Sequence, residues 1–272
     1  MTDSLGWVAN ISILFPELPL LQRPAAARAA GFSAVEAWWP FPTPTPSPAE
    51  VDAFVAAVEE SGLPLTGLNF YAGDMPAGDR GVASQPARRD ELQASHPTLV
   101  NIAERTGVRH FNLLYGQSVD GLGAEEQLAA GVASLIEAAG LVGAFGGTIL
   151  LEPLAAGLNG AYPLLTDEHV LAVLDTANRT AGRTLPTALL FDTFHLGSNG
   201  VDLVAAARRL APRIGHVQIA DSPGRGEPGS GTLPLAETLH ELRDGGYRGR
   251  FAAEYKPTTT TIDTLGWMET LS

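Results

Sequence analysis

Eight short apolar runs, separated by segments with a helical repeat, place the strongest constraint on the fold of this chain. The intervening segments carry apolar residues at three-to-four spacing, as in PAEVDAFVAAVEESG, EEQLAAGVASLIEAAGLVG and VDLVAAARRLA. Alternating strands and helices predict a parallel sheet, and eight strands is the number that closes a (β/α)8 barrel. The runs are WVANISI (7–13), AVEAW (34–38), LTGLNF (65–70), HFNLL (110–114), TILLE (148–152), ALLFD (188–192), IGHVQIA (214–220) and FAAEY (251–255).

An open, doubly wound sheet is the alternative arrangement of the same elements. The lack of a Gly-x-Gly-x-x-Gly motif after the first run weakens it. The proline-dense stretch FPTPTPSP (41–48) fits a loop between the second strand and its helix rather than a linker between domains. At 272 residues, the chain is therefore predicted to form one barrel domain over residues 1–272.

Charge and composition narrow the classes of function. A net charge of −13 argues against a nucleic-acid partner and is compatible with cation binding in an acidic pocket. The absence of cysteine excludes thiol catalysis, thiolate metal sites and disulfides. The segment MTDSLGWVANISILF lacks the basic start of a signal peptide, and no apolar run reaches the roughly 20 residues of a membrane span. These features predict a cytoplasmic protein without a membrane partner.

Polar side chains at the ends of the last four runs are the candidate functional residues. The carboxyl ends of barrel strands share one rim, where active sites are built. Carboxylates buried together repel one another, and a divalent cation would relieve the repulsion. Three carboxylates and one amide oxygen suit Mg²⁺ or Mn²⁺ better than zinc. The proposed ligands are Glu152, Asp192, Gln218 and Glu254.

Three of these side chains also have a structural explanation. Glu152, which precedes Pro153, could start a helix, and Asp192 could cap a turn. Gln218 could hydrogen-bond to the backbone within its apolar strand. The coincidence of such residues on four consecutive strands favours the metal site.

A metal flanked by two glutamates indicates chemistry at a carbonyl. A metal that polarises a carbonyl acidifies the neighbouring C–H, and Glu152 and Glu254 could remove and return that proton through an enediol. Arg225, in the loop DSPGRGEPGSG, could clamp a substrate carboxylate or be a solvated loop residue. Lys256 is the only lysine; it could meet an acidic substrate at the same rim or form a surface salt bridge.

Several segments carry a family resemblance. GHVQIADSPGRGEPGSG (215–231) and AEYKPTTTT (253–261) closely resemble the hydroxypyruvate isomerase family of xylose isomerase-like TIM barrels. Shorter matches appear in family order along almost the whole chain. They are ANISILFPE (9–17), GFSAVEAWWPF (31–41), AGDMPAGDRGVA (72–83), LLEP (150–153) and FDTFH (191–195).

The resemblance implies an enzyme that interconverts hydroxypyruvate and 2-hydroxy-3-oxopropanoate (tartronate semialdehyde), or acts on a closely similar hydroxy-oxo acid. It implies that Glu152 and Glu254 transfer protons and bind the metal, with Asp192 and Gln218 as further ligands. It also implies that His195 and Arg225 face the substrate. Glu36 matches a retained acidic position, for which substrate contact, a helix start and a structural hydrogen bond are all open.

The chain departs from the family pattern after LEP, where Ala155 replaces a usual asparagine. This leaves the substrate less certain than the reaction class. A sugar or sugar-acid 3-epimerase would use the same metal and glutamates, and an inactive binding relative would keep the pocket without turnover. A nuclease barrel should show more metal-binding histidines and a basic groove. Barrels of this kind often pair, so a homo-oligomer is also open.

Overall fold

A computed structural model describes residues 6–271 as a closed barrel of eight parallel strands in chain order, with β8 pairing back onto β1. The predicted barrel is confirmed, and every apolar run contributes one strand. The runs extend past most strands because their last residues lie beyond the hydrogen-bonded ladder. The strands are β1 (Trp7–Asn10), β2 (Ala34–Ala37), β3 (Leu65–Asn69), β4 (His110–Asn112), β5 (Thr148–Leu151), β6 (Thr187–Asp192), β7 (Ile214–Ile219) and β8 (Phe251–Ala253).

Helices surround the barrel and connect its strands. They are α1 (Arg23–Ala29), α2 (Pro48–Ser61), α3 (Arg89–Thr106), α4 (Ala124–Gly143), α5 (Asp167–Ala181), α6 (Thr193–Ser198), α7 (Leu203–Leu210), α8 (Leu235–Asp244) and α9 (Trp267–Thr270). Four short 3-10 helices cover Leu20–Gln22, Pro86–Arg88, Ala211–Arg213 and Ile262–Thr264. Within residues 6–271, no helix combines the length and apolarity needed to cross a membrane.

Local sequence signals account for the helix ends. Ser47 and Glu50 form a reciprocal capping box at the start of α2, and Gly62 ends the helix in the left-handed region at φ 68°. The proline-rich loop therefore stops where the helix begins at Pro48. Helix α7 begins later than the apolar repeat suggests, because the Asp202 side chain accepts a hydrogen bond from the Ala205 amide.

The barrel interior is apolar at one end and polar at the other. Val8, Ala34 and Ala252 form a small buried cluster separate from the main core, which joins strands to helices. Side chains on one face of a strand recur every two residues. The next inward positions toward the carboxyl ends are therefore Asn10, Glu36 and Glu254, all nearly fully buried. The alternation thus directs polar groups toward one mouth of the barrel.

Gly67 makes room for one of these polar groups. Its Cα pairs with that of Glu36 on the neighbouring strand. A Cβ at Gly67 would lie 3.2 Å from Glu36 Cβ and 3.3 Å from Glu36 Oε2. The missing side chain lets the Glu36 carboxylate lie inside the barrel between β2 and β3.

Candidate active site

The carboxyl ends of β5 to β8 bring the four predicted metal ligands to the same mouth of the barrel. Glu152 and Glu254 directly follow β5 and β8, Asp192 ends β6, and Gln218 lies in β7. Asp192 and Gln218 are neighbours, because their Cα atoms are partners in the β6–β7 ladder. All four residues are between 0% and 4% exposed. A set this deeply buried needs hydrogen bonds or a cation to offset its lost hydration.

A cavity of about 1010 Å³ opens above these strand ends. Glu152, His195 and Glu254 line its polar part. Trp38, Trp39 and Phe41, from the loop after β2, supply apolar wall. Asp192, Gln218 and Glu36 are not among the lining residues, so they support the cavity from the barrel interior. The cavity is large enough for a small organic acid with part of its surface in contact with aromatic side chains.

Glu152 is held at one oxygen and open at the other. Asn112 Nδ2, at the end of β4, donates to Glu152 Oε2 at 2.7 Å. Glu152 Oε1 lies 3.7 Å from His195 Nε2. Burial, together with the negative charges of Glu254 and Asp192, raises the pKa of the Glu152 carboxyl well above its ordinary value. Glu152 is therefore a carboxyl group suited to gaining and losing a proton.

Three buried side-chain oxygens lack hydrogen-bond partners among residues 6–271: Asn112 Oδ1, Asp192 Oδ2 and Gln218 Oε1. Asp192 Oδ1 accepts a hydrogen bond from the His195 amide at 3.0 Å, but Asp192 Oδ2 has no hydrogen-bond donor. Gln218 Nε2 donates to Glu36 Oε1 at 2.7 Å, and Gln218 Oε1 is likewise without a donor. Unsatisfied buried oxygens are costly unless a ligand completes them. They fit a hard divalent cation, which prefers oxygen ligands.

A cluster of two carboxylates and one imidazole also indicates a possible metal site. One ligand atom each of Glu152, Asp192 and His195 lies within 4.8 Å of the others, close enough to share one metal ion. All three side chains are buried. The site is thus compatible with a divalent metal.

The tautomer of His195 indicates that its imidazole is a hydrogen-bond donor rather than a metal ligand. The Ala155 amide donates to His195 Nδ1 at 3.0 Å, so Nδ1 carries the lone pair. Burial, then the positive charges of Arg225 and Arg80, lowers the pKa of His195 well below its ordinary value, which favours the neutral ring. The proton of the neutral ring then lies on Nε2, the atom that faces Glu152. A protonated Nε2 donates a hydrogen bond and offers no lone pair to a metal.

Glu254 is the most heavily hydrogen-bonded of the carboxylates. Asn10 Nδ2 and Trp38 Nε1 donate to Oε1 at 3.0 Å and 2.5 Å. Arg225 Nη2 donates to Oε2 at 2.6 Å. Burial raises the pKa of Glu254 to about 8, with Asp192 adding to the rise and Arg225 opposing it. Its proton can therefore be exchanged near neutral pH.

Arg225 lies against the carboxylates in this structure. It follows β7 in a left-handed conformation with φ 58°. Its Nη2 is 3.7 Å from Asp192 Oδ2 in addition to the contact with Glu254, and its guanidinium lies over the Phe194 ring at 5.5 Å from the centroid. The positive charge thus offsets part of the repulsion between Asp192 and Glu254. The predicted contact between Arg225 and a substrate carboxylate stays a prediction.

Glu36 positions other side chains from inside the barrel. Its Oε1 accepts from Gln218 Nε2 and from Asn10 Nδ2, and its Oε2 lies 2.5 Å from His216 Nε2. Burial alone would raise the pKa of Glu36, but His216, Gln218 and Asn10 more than reverse this and lower it. Because Asn10 also donates to Glu254, Glu36 is linked to both Gln218 and Glu254. These contacts favour the structural alternative for Glu36.

Lys256 lies at the edge of the cavity, as its place after β8 predicts. Its side chain is exposed and lines the opening. Its backbone amide donates to the Arg225 carbonyl at 2.7 Å, which ties the loop after β8 to the loop after β7. A contact between its amine and a substrate stays a prediction.

Ala155 contributes through its backbone. Its amide binds His195 Nδ1, and its carbonyl accepts from Asn159 Nδ2 at 3.1 Å. Its methyl group is only 1% exposed. Position 155 is therefore linked to the site through its backbone, although it lacks the asparagine side chain.

Sequence reasoning missed five polar residues at or beside the site. Asn10 and Asn112 are the last residues of β1 and β4. A search for polar side chains at the ends of these two strands, as was made for β5 to β8, could have found them. Trp38 directly follows β2 and gave no separate signal. Arg80 and Asn159 lie in loops, where an arginine or asparagine is usually solvated. The five are Asn10, Trp38, Arg80, Asn112 and Asn159.

Known proteins resemble this chain over nearly its full length. Residues 24–271 match the family described as xylose isomerase-like TIM barrel. A Streptomyces coelicolor protein named as a candidate hydroxypyruvate isomerase is 45% identical, over 91% of this chain and 89% of that protein. The Escherichia coli hydroxypyruvate isomerase is 29% identical, over 97% and 98% of the two chains. A Haemophilus influenzae 2-oxo-tetronate isomerase is 27% identical, over 97% and 98%.

A solved structure shares the whole fold. It is described as an AP endonuclease, family 2, from Brucella melitensis, and it superposes with a TM-score of 0.86 at 26% identity. The match covers 98% of this chain and 99% of that chain. The barrel fold is therefore shared over the matched residues.

Proposed function

Because the chain belongs to the hydroxypyruvate isomerase family of xylose isomerase-like TIM barrels, we propose that it interconverts hydroxypyruvate and 2-hydroxy-3-oxopropanoate, or a closely similar hydroxy-oxo acid. The family places it among isomerases of the intramolecular oxidoreductase type. The observation that carries the proposal is the pair of buried carboxyls, Glu152 and Glu254, which border one cavity and have raised pKa values.

A divalent cation, Mg²⁺ or Mn²⁺, fits the oxygen-rich end of this cavity. We propose Glu152, Asp192, Gln218 and Glu254 as the residues that hold it. The unpartnered oxygens of Asp192 and Gln218 support this set, and the tautomer of His195 argues for the amide over the imidazole. When bound, such a cation polarises a substrate carbonyl and acidifies the adjacent C–H. Since Arg225 Nη2 already contacts Glu254 Oε2, ligation through that oxygen requires the arginine to move.

The isomerisation needs two proton transfers at neighbouring carbons. An ionised glutamate takes a proton from C3 of hydroxypyruvate while the C2 carbonyl oxygen gains one, which gives an enediol. The C3 hydroxyl then loses its proton and C2 receives one, so that the carbonyl lies on C3 and no atoms are gained or lost. We propose that Glu152 and Glu254 make the two transfers at carbon.

His195 is proposed to orient the substrate rather than to exchange the carbon-bound proton. Its Nε2–H faces Glu152 Oε1 at 3.7 Å, a separation too long for a strong hydrogen bond. A substrate oxygen placed beside the ring can accept that hydrogen. The Ala155 amide keeps Nε2 as the donor by occupying Nδ1.

Deuterium exchange tests the proposed reaction directly. Purified protein is incubated with hydroxypyruvate in D2O with Mg²⁺, with Mn²⁺ and with EDTA, and substrate and product are followed by NMR. We expect metal-dependent formation of 2-hydroxy-3-oxopropanoate with deuterium at carbon. No exchange and no product across three- and four-carbon oxo acids would overturn the isomerase proposal.

Replacing either glutamate tests the two-carboxylate mechanism. Glu152→Gln and Glu254→Gln keep the side-chain shape but remove the group that accepts a proton. Each is expected to lower kcat by roughly 100- to 10,000-fold without unfolding the protein. Circular dichroism checks the fold, and near-normal turnover in either variant contradicts the mechanism.

A 3-epimerase would use the same glutamates and differ only in the product. It returns the proton to the opposite face of one carbon and leaves the carbonyl where it was. Hydroxypyruvate has no stereocentre, so its conversion to an aldehyde is evidence of isomerisation alone. Inversion of a four-carbon or longer sugar substrate without carbonyl movement would favour the epimerase.

Four broader expectations stay predictions. These are a cytoplasmic location, a small-molecule substrate and, from the acidic composition, no nucleic-acid partner. Cleavage of DNA containing an abasic site would contradict the last of these. A homo-oligomer is expected only by analogy with other barrels, and light scattering measures it directly.

A further inference from the structure

Arg80 is a cationic side chain in the cavity wall that forms no ion pair with a carboxylate of the described residues. It lies in the loop between β3 and α3 and lines the same cavity as Glu152 and His195. Its Nε donates to Asn159 Oδ1 at 2.9 Å, and its Nη1 donates to the carbonyls of Met75 and Asp79. Across residues 6–271, no hydrogen-bond acceptor meets Nη2 and no carboxylate oxygen lies within 4.0 Å of the guanidinium. Its charge is therefore not balanced by an ion pair.

The neighbouring acidic residue is engaged elsewhere. Asp79 Oδ2 accepts from Arg88 Nη1 at 2.8 Å and from the Asp74 amide at 2.7 Å. These contacts hold the Asp79 carboxylate on the Arg88 side of the loop. The loop thus carries two arginines, of which one forms salt bridges with Asp79 and Glu91 and the other faces the cavity.

Arg225, the other arginine at the polar end of the cavity, is in the opposite situation. Its Nη2 contacts Glu254 at 2.6 Å and lies 3.7 Å from Asp192. Its charge is thus already balanced by the carboxylates proposed to move protons and hold the metal. An anionic substrate group gains more from an unbalanced guanidinium than from one that would have to leave two carboxylates.

A short chain of hydrogen bonds joins Arg80 to the imidazole. Asn159 accepts from Arg80 and donates to the Ala155 carbonyl at 3.1 Å, and the Ala155 amide donates to His195 Nδ1 at 3.0 Å. The positive charge of Arg80 also contributes to the lowered pKa of His195, after burial and Arg225. Arg80 is therefore close enough to the reacting end of the cavity to influence it.

We propose that Arg80 binds the carboxylate of the substrate and that Asn159 orients its guanidinium. The proposal rests on the proposed function, because it names the acidic end of a hydroxy-oxo acid as the group recognised. A guanidinium can present two parallel N–H donors to a carboxylate, which gives direction as well as affinity. The hydroxyketone end of the substrate then points toward Glu152 and His195.

The first test compares an acidic substrate with its neutral counterpart. Dihydroxyacetone has a hydroxymethyl group where hydroxypyruvate has a carboxylate, and the rest of the molecule is the same. In Arg80→Met, the ratio of kcat/KM for hydroxypyruvate to kcat/KM for dihydroxyacetone is expected to fall by about 30-fold or more. Arg80→Lys keeps the positive charge but loses the paired N–H donors of the guanidinium. Its selectivity ratio should lie between those of wild type and Arg80→Met.

Arg23 provides a matched control in the same cavity. It is half-buried, lines the cavity, and donates to the carbonyls of Leu18 and Ile11 at 2.9 Å. Arg23→Met removes the same charge and should keep the selectivity ratio within about threefold of wild type, because a cation that does not touch the carboxylate acts only through a screened field. An equal loss in both variants would assign the selectivity to the general field and overturn the role of Arg80.

A binding measurement separates this proposal from the proposed reaction. Glycerate has a carboxylate but no ketone or aldehyde group, so it cannot undergo the isomerisation, and glycerol is its neutral counterpart. By calorimetry in EDTA, wild type is expected to bind glycerate more tightly than glycerol, and Arg80→Met is expected to lose that difference. Glycerate affinity that requires metal and ignores Arg80→Met would overturn the proposal by placing the carboxylate on the cation.

Asn159→Asp tests the same contact while Arg80 remains in place. An aspartate at this position would form an ion pair with Arg80 Nε and neutralise the guanidinium. The variant should lose glycerate affinity to about the same extent as Arg80→Met. Unchanged affinity in a folded Asn159→Asp protein would contradict the part given to Arg80. If wild type does not turn over hydroxypyruvate but still binds glycerate more tightly than glycerol, only the proposed reaction is rejected.

Discussion

A single hydrogen bond decides which end of the Gln218 amide is presented to the neighbouring carboxylates. Glu36 Oε1 accepts from Gln218 Nε2 at 2.7 Å, and an ionised carboxylate can only accept. The amide oxygen must therefore point away from Glu36, where it has no donor among the described residues. Glu36 thus selects the group that Gln218 offers to a ligand, although it does not line the cavity itself.

This arrangement predicts that a carboxylate at position 218, although a good metal ligand, would lower the stability of the folded protein. Gln218→Glu places two carboxylates in contact inside the barrel, and an uncompensated buried charge costs about 3–5 kcal/mol. We expect a corresponding fall in the free energy of unfolding, measured by urea denaturation in EDTA.

The reciprocal change supplies the control for this prediction. In the double variant Glu36→Gln with Gln218→Glu, donor and acceptor exchange places and the hydrogen bond can form again. The double variant should recover about 2 kcal/mol relative to the sum of the single variants. Additive losses would show that the two side chains are not coupled.

At the scale of elements, the loops after the strands hold one another in place. Lys256 in the loop after β8 binds the Arg225 carbonyl through its amide, and Thr258 binds the Glu227 carboxylate. Thr261 Oγ1 accepts from the Phe15 amide at 2.6 Å and thereby joins the loop after β8 to the loop after β1. The threonine run thus fastens the cavity rim, a role that its composition alone did not indicate.

Removing the hydroxyl of Thr261 should loosen this connection without affecting the chemistry. Thr261 is fully buried, so Thr261→Val leaves the Phe15 amide without a partner at a cost of about 1–3 kcal/mol. The free energy of unfolding should fall by that amount in Thr261→Val. Thr261→Ser keeps the hydroxyl and should therefore retain most of the stability of wild type. Equal stability of the valine and serine variants would show that the hydrogen bond contributes nothing.

The elements themselves were predictable from sequence, whereas many of their contacts were not. Short apolar runs identified the eight strands, and the three-to-four spacing of apolar residues identified α2, α4 and α7, because each element buries apolar residues against the same core. Glu152 and Glu254 were visible as carboxylates that end apolar runs. The pairing of Arg225 with Glu254 was not, since it joins residues 29 positions apart. A loop arginine such as Arg80 looks the same in sequence whether it faces a cavity or the solvent.

At the scale of the whole molecule, stability and the metal site oppose each other. Burial raises the pKa of Asp192, which means that the folded chain disfavours its charge, although Arg225 offsets part of the cost. A cation that binds only the folded state stabilises it by about 2.7 kcal/mol at roughly 100 times Kd. For a chain of 272 residues, that corresponds to a Tm increase of about 5 °C.

Asp192→Asn should separate these two effects. The variant keeps an oxygen that can accept from the His195 amide but removes one buried charge. In EDTA its Tm should equal or exceed that of wild type, whereas the Tm increase on adding Mn²⁺ should largely disappear. Differential scanning calorimetry measures both, and an unchanged Mn²⁺ shift would exclude Asp192 as a ligand.

The solitary lysine also makes the rim of this barrel chemically addressable. Lys256 is exposed at the cavity opening, and every other cationic side chain that carries a permanent charge is an arginine, which does not acylate under mild conditions. Apart from the terminal α-amine, an amine-reactive fluorophore would therefore modify one group, the Lys256 side chain beside the opening. Its emission could then report ligand occupancy in real time, without any engineered attachment point.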